Sequence, residues 1–496
     1  MSRPTKHSIM VQTENIYRVI IIGCGFGGIG MAVSLRRQGI SNFILLEKEQ
    51  SIGGVWRDNT YPGAACDVPS HLYSFSFAPN PRWSSVFSPQ AEILDYLQGC
   101  VDRLDLQRHI RYGTEVHQAE FDELRGLWKV HTRDGNTLLS KVLITATGQL
   151  NRPSIPPLSG LEKFRGTWFH SARWNHRAVL KNKRVAVIGT GASAVQFVPE
   201  VAKQVTQLDL FQRSPPYLIP RPERRYTRFE QLLFENIPWL MKLYRASVYF
   251  KLESRALAFS RLSALMQPLV NAPFRRMLKQ QITDTDLQAR LTPEYPVGCK
   301  RILMSNEYLA TIARPNLNLI TDDIECIDET GILSSDGKHH PVDIIIFGTG
   351  FAATEFLAPM NIVGRRGRDL NQAWKNGAQA YLGITVPGFP NFFMVYGPNT
   401  NLGHNSIIYM LESQIAHIMR CLRRMQKEKA NTIEINETVF REFNRRIQQQ
   451  LQLHVWHQCN SWYIDAAGHN STNWPGFSLT YRWLTQLKKL QVYQCK

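Results

Sequence analysis

The tightest constraint on this chain is a pair of glycine-rich turns, each placed between a short β-branched strand and a helical segment. In the first, Gly23, Gly25 and Gly28 give G-x-G-x-x-G after the run Tyr17 to Gly23; helical periodicity follows from Ile29 to Arg37, then a second strand from Phe43 to Glu47. Glycines at these positions permit a tight turn and close approach of backbone to a pyrophosphate, and the helix N-terminus adds N–H donors and a positive dipole end. Glu47 stands nineteen residues past Gly28, where a carboxylate accepts both hydroxyls of an adenosine ribose. This predicts an FAD site; a tight βα turn holding no ligand is the plain alternative.

The second turn, after Arg184 to Ile188, is G-x-G-x-x-A: Gly189, Thr190, Gly191, Ser193 and Ala194. Nineteen residues past Ala194 stands Arg213, where the first unit has its acid. A cation there disfavours NAD and favours the 2′-phosphate of NADPH, with Ser214 as an added hydroxyl donor. A surface arginine without a ligand is the competing reading. The expected fold class is therefore α/β: two Rossmann-like dinucleotide-binding domains, for FAD and NADP, with a helical insertion in the second.

The strands Val142 to Gly148 and Asp343 to Gly350 both end in Thr-Gly, and each can close one sheet and send the chain across to the other. The proline-rich stretch Asn151 to Pro157 reads as a linker. The expected bounds are 1–155 with 340–496 for a discontinuous FAD-binding domain and 156–339 for the NADP-binding domain. The insertion spans about 224–290, where Leu240, Tyr244, Val248 and Leu252 share one helical face. A further long helix is expected from Ser406 to Lys427.

The formal net charge is +18, and Arg221 to Lys279 holds twelve Lys/Arg against four Asp/Glu. No nucleic-acid motif accompanies this stretch, so a solvated basic face and peripheral contact with an anionic membrane both stay open. Met1 to Asn15 is polar and predicts no signal peptide. The eight cysteines are scattered without a C-x-x-C pair, which argues against both a disulfide framework and a flavin disulfide reductase; they are expected to be reduced, in a cytoplasmic protein. No metal constellation stands out: His339 and His340 are a lone pair and His404 is isolated. Trp462, Trp474 and the turn Pro475 to Phe477 read as C-terminal packing.

Between the two turns, Phe164, Gly166, His170 and Trp174 fall as F-x-G-x-x-x-H-x-x-x-W. This resembles the fingerprint of the Baeyer–Villiger monooxygenases, with Asn175 where that family has Pro or Asp. Trp174 separates that branch from the related heteroatom-oxidising enzymes, which carry Tyr or Phe there. The segment Gly53 to Asp67 is similar to the family's flavin-contacting loop, which implies FAD contacts at Gly54, Val55, Trp56, Asp67 and Val68, with Tyr73 and Val116 beyond. Gly298 to Arg301 is similar to its catalytic-arginine segment, which implies NADP contacts at Cys66, Gln196, Lys300 and Arg301 beside the second turn.

The resemblance implies an enzyme that uses FAD, NADPH and O2 to form a C4a-peroxyflavin, which adds to a ketone and yields an ester or lactone. An anionic oxidant needs a fixed cation, and an arginine cannot lose its proton. Arg301 is expected to be that cation, with Asp67 orienting it. For His170 and Trp174, a structural role at the domain boundary competes with cofactor contact. A nitrogen- or sulfur-oxidising flavin monooxygenase of the same fold is the alternative function, and a non-catalytic flavoprotein is a third.

Overall fold

The computed structural model describes residues 16–259, 263–459, 461–465 and 467–496. Met1 to Asn15, and with them the expectation of no signal peptide, lie outside the described residues. The chain opens with β1 (Ile16–Ile22), α1 (Phe26–Arg37) and β2 (Phe43–Leu46), then β3 (Ile110–Arg111), β4 (Val116–Asp122), β5 (Leu127–Thr132) and β6 (Thr137–Thr145). β1 runs parallel to β2 on one side and to β6 on the other. Its centre, Val19 to Ile21, is fully buried, which is why it reads as an unbroken apolar run. β4, β5 and β6 form an antiparallel meander on the same sheet.

The second sheet is built from β7 (Thr167–His170), β8 (Arg184–Ile188), α2 (Ala192–Ala202) and β9 (Gln207–Phe211). The insertion follows, with α3 (Arg228–Asn236) and α4 (Pro238–Glu253); β10 (Leu317–Ile320) and β11 (Ile344–Phe347) complete the sheet. The order is β10-β9-β8-β11-β7, all parallel. The expected boundary at residue 340 is corrected here. β11 pairs with β8 and β7, so the chain leaves this sheet only after Phe347. It then returns to the first sheet as β12 (Asn361–Val363) beside β4 and β13 (Phe392–Met394) beside β6.

The long C-terminal helix is α5 (Ile407–Glu428), capped by the Ser406 hydroxyl, which accepts from the Ile408 N–H at 3.3 Å. A shorter helix, α6 (Ser478–Gln486), packs against it. The insertion sits in the second unit by sequence but leans on the first. Phe234, Met241, Tyr249 and Leu252 belong to the first unit's core, and Leu240, Tyr244 and Val248 pack against it. Phe274, Met277 and Leu278, further along the insertion, belong to the second core. β1 and β8 each have their two neighbours reached by opposite crossings, so both glycine turns open at switch points, where such sheets bind ligands. Among the described residues no helix is long and apolar enough to cross a membrane.

Candidate active site

At the end of β1, Gly23 has φ +104°, and a Cβ there would lie 2.6 Å from the Ala146 carbonyl oxygen at the end of β6. A Cβ on Gly28 would lie 1.9 Å from the Gly23 carbonyl oxygen, so the turn closes only with glycine at both places. Gly25 caps α1 with no side-chain cap bond and no acid in the first turn, leaving the positive end of the helix open to an anion. Gly54 faces it: a Cβ on Gly54 would come 3.4 Å from the Gly25 Cα. This is a backbone-lined cradle that suits a pyrophosphate.

Glu47, 4% exposed, ends β2 beside this cradle. Its carboxylate accepts from the Cys24 N–H at 2.9 Å, the Glu49 N–H at 3.1 Å and Arg57 Nη1 at 3.1 Å. The Thr114 N–H donates to the Glu47 carbonyl at 2.8 Å and so brings buried Val116 close to the same corner. Val55 and Trp56 lie on the short helix Val55–Asp58 that begins at Gly54. Trp56 Nε1 donates to the Tyr73 hydroxyl at 3.2 Å, and the Tyr73 ring meets Phe26 edge-on at 5.4 Å. Val68 is buried just beyond Asp67. A planar, largely apolar cofactor fits such a wall.

The second turn repeats the geometry with one change. A Cβ on Gly189 would lie 2.6 Å from the Gly348 carbonyl oxygen, matching Gly23. The third position, however, is Ala194, and its methyl is accommodated because position 348 is glycine: a Cβ there would come 3.2 Å from the Ala194 Cβ. Gly191 caps α2, again without a side-chain bond or an acid in the first turn. The Thr190 hydroxyl donates to the Ser214 carbonyl at 3.0 Å, tying the turn to the end of β9. Lys300 Nζ donates to the Ser214 hydroxyl at 2.8 Å. Burial, and then the neighbouring Arg213, push the Lys300 amine below the ordinary lysine range. Two cations beside a hydroxyl at the end of β9 fit a phosphate dianion.

The two units meet at Asp67 and Arg301. Arg301 Nε and Nη2 both donate to Asp67 Oδ2, at 3.0 and 2.5 Å, and the carboxylate holds the guanidinium above the ordinary arginine range. Cys66 is buried, and burial pushes its thiol up. Gln196, expected to contact NADP, uses its amide between the units. It accepts from the Tyr61 hydroxyl at 3.0 Å and donates to the Ala65 carbonyl at 3.0 Å. Ser193 bonds to the same Tyr61 hydroxyl.

Two tyrosines escaped the sequence reading. Tyr396 and Tyr463 both feel the Arg301 charge, and burial pushes Tyr463 up to about 12. Tyr396 follows β13, at the same strand end as the glycine turns, which was the available signal. The Tyr463 ring lies tilted against Trp462 at 4.3 Å between centroids, and Trp462 is exposed rather than packed inside; Trp474 is buried as expected. The expectation that all cysteines are reduced is corrected. Cys299 and Cys459 form a disulfide across 160 residues, a pairing made by the fold, with no local spacing to announce it. It links the loop of Lys300 and Arg301 to the loop of Tyr463. The other six cysteines are free.

The fingerprint residues lie on and around β7. Phe164 is core, and a Cβ on Gly166 would lie 2.4 Å from the Asp343 carbonyl oxygen. His170, at the end of β7, accepts through Nδ1 from the Ala172 N–H at 3.1 Å, and burial pushes its pKa down to about 4. Trp174 lies 5.2 Å from Phe169 and 5.4 Å from Phe197, between β7 and α2. These residues favour the structural reading of the fingerprint.

Two uncapped helix ends, a buried acid in one unit and paired cations in the other define a two-dinucleotide oxidoreductase. Residues 16–362 match the family described as FMO-like, flavin-binding monooxygenase-like, and the chain belongs to it: it is a flavin-dependent monooxygenase. More narrowly, it is 44% identical to a Baeyer–Villiger monooxygenase of Pseudomonas aeruginosa, covering 96% of this chain and 91% of that one. It is 42% identical to another of that name from Streptomyces coelicolor, over 98% and 94%. The solved cyclohexanone monooxygenase from Rhodococcus sp. Phi1 bound to NADP+ superposes with a TM-score of 0.87 at 27% identity, covering 98% of this chain and 100% of that one. A steroid monooxygenase bound to NADP gives 0.85 at 28%, covering 97% and 99%. The expected fold, with its FAD and NADP domains, and the expected enzyme class both stand.

Proposed function

We propose that this enzyme carries out an FAD- and NADPH-dependent Baeyer–Villiger oxidation, inserting one oxygen atom of O2 beside a ketone carbonyl to give an ester or lactone. The observation that carries the reading is Arg301, fixed by two bonds to Asp67 where the two nucleotide units meet. Bound FAD supplies oxygen activation and NADPH supplies hydride. This chain's residues bind and orient. Gly23, Gly25, Gly28 and Gly54 admit the first pyrophosphate, and Glu47 takes the ribose hydroxyls. Gly189 to Ala194 admit the second, while Arg213, Ser214 and Lys300 take the 2′-phosphate. Arg301 holds a charge no proton loss can remove, where negative charge develops during oxygen transfer. Phe26, Trp56 and Tyr73 limit the entry of water from their side.

The test is ketone-stimulated NADPH oxidation by the purified yellow protein, with ester formed in step. Arg301→Ala should cut ester formation on the order of 10²–10³-fold; near-wild-type yield removes Arg301 from the mechanism. Oxygenation of sulfides or amines alone, across a broad panel, replaces the ketone reading with a heteroatom one. Trp174 marks the ketone branch by its identity; its own contacts are with Phe169 and Phe197.

We also infer a cytoplasmic location with the basic insertion against an anionic membrane surface. Six free thiols set against one disulfide support the first part, and exposed Arg228, Lys242 and Lys251 the second. Fractionation that recovers the chain outside both the cytosol and the membrane pellet ends this reading.

A further inference from the structure

The insertion presents to solvent what a water-soluble surface normally hides. The inner face of α4 is packed on the core, yet Trp239, Leu243 and Phe250 form a second stripe on its outer side, with Trp239 and Phe250 each 63% exposed. Exposed Lys242 and Lys251 flank them. On α3, Phe229 is 73% exposed beside Arg228. On α6 and its C-cap, Leu479, Trp483 and Leu487 recur every four residues, all exposed, and exposed Lys488 and Lys489 follow. Large apolar side chains gathered on adjoining elements mark an interaction surface, whereas scattered ones do not.

The two helices are joined end to end. Glu253, the last residue of α4, accepts from the Ser478 hydroxyl at 2.7 Å and the Leu479 N–H at 2.9 Å, at the start of α6. The Tyr249 hydroxyl lies 3.1 Å from the same Ser478 hydroxyl. At this junction lies a cavity of about 50 Å³. Leu257 and Phe477 are its exposed lining, and Phe259, Trp456 and Trp474 its buried lining. Phe259 abuts the loop of the catalytic arginine: a Cβ on Gly298, three residues before Arg301, would meet its ring at 3.3 Å.

We propose that α3, α4 and α6 dock on an anionic bilayer, and that a lipophilic ketone passes from the lipid to the Arg301 site through the Leu257–Phe477 rim. The route rests on the ketone reading above; the docking does not. Amphipathic helices that carry Trp, Phe and Leu beside lysines lie in the interface plane, with the rings among the acyl chains and the lysines at the headgroups. Charge favours lipid over a second copy of this chain. Arg221 to Lys279 carries twelve Lys/Arg against four Asp/Glu, so self-association would bring like charge against like, while an anionic surface neutralises it.

The experiment uses the full FAD-loaded chain and vesicles of phosphatidylcholine with about a third phosphatidylserine. The protein floats with these vesicles at low salt and much less at high salt or with phosphatidylcholine alone. Trp239→Glu/Phe250→Glu and Lys242→Glu/Lys251→Glu each weaken flotation at least about tenfold. Both variants keep the wild-type rate on a short water-soluble ketone but lose most of their rate on a long-chain 2-ketone dissolved in the vesicles. Failure of the wild type to float at low salt overturns the docking. A concentration-dependent doubling of mass that Trp239→Glu/Phe250→Glu abolishes, without flotation, assigns the face to a second copy instead. Flotation with equal rates on vesicle-borne ketone overturns the entry route. If no ketone is oxidised at all, the ketone reading fails while flotation still decides the docking.

Discussion

The two glycine turns share a backbone and differ at the third position and beyond the end of the second strand. In the first, the third glycine presses on its own turn, with 1.9 Å between a notional Cβ and the Gly23 carbonyl oxygen. In the second, a methyl sits there because the facing strand end supplies Gly348. The first ends its second strand in a buried acid; the second ends it with Arg213, reinforced from far along the chain by Lys300. The turn thus accommodates a dinucleotide, and on the proposed reading the residue beyond it decides which one. Steric tolerance at the third position is set by the turn's own backbone in the first unit and by the neighbour across the sheet in the second.

The largest effect that tests this contrast is Gly28→Val. The overlap costs on the order of 3 kcal/mol, roughly a hundredfold in FAD affinity, so the protein should purify nearly colourless. A fully yellow variant shows that the turn can relax. Next comes Arg213→Ala/Lys300→Ala, which should raise the KM for NADPH by about tenfold to a hundredfold and leave NADH unchanged, since charged contacts to phosphate are lost only for the former. An equal loss for both cofactors would mean that the pair does not read the 2′-phosphate.

A several-fold effect is expected with pH. The Lys300 amine titrates below the ordinary lysine range, so its cation is present at lower pH and lost as pH rises through that depressed value. The NADPH-over-NADH preference should therefore fall on the alkaline side, and Lys300→Arg should flatten the profile; an unchanged slope in that variant refutes the assignment. The smallest effect is Ala194→Gly, within about twofold in the KM for NADPH, because no atom is crowded by the methyl it removes. The same change should rescue Gly348→Ala, whose new Cβ would meet Ala194 at 3.2 Å. Failure to rescue places the clash elsewhere.

What the sequence disclosed follows from distance along the chain. Glu47 and Arg213 were legible because strand, turn and helix fix their offset within one βαβ unit. The boundary near 340 fell short because Asp343 to Gly350 looks the same whether it closes the first sheet or the second; only its pairing with β7 and β8 decides. Asp67 and Arg301, 234 residues apart, entered through resemblance, since no spacing rule spans that interval. Tyr463 and the Cys299–Cys459 bond had neither aid. Trp174 was legible as a marker but not as a contact, because a motif records that a residue matters without saying what it touches.

The Asp67–Arg301 pair has one more consequence. One partner comes from the FAD half and the other from the NADP half. The guanidinium is therefore aimed by a contact between the halves. Either half alone holds a nucleotide cradle and one charge of the pair. Neither half alone holds Arg301 against Asp67, so the proposed oxygen transfer belongs to the seam and not to either lobe.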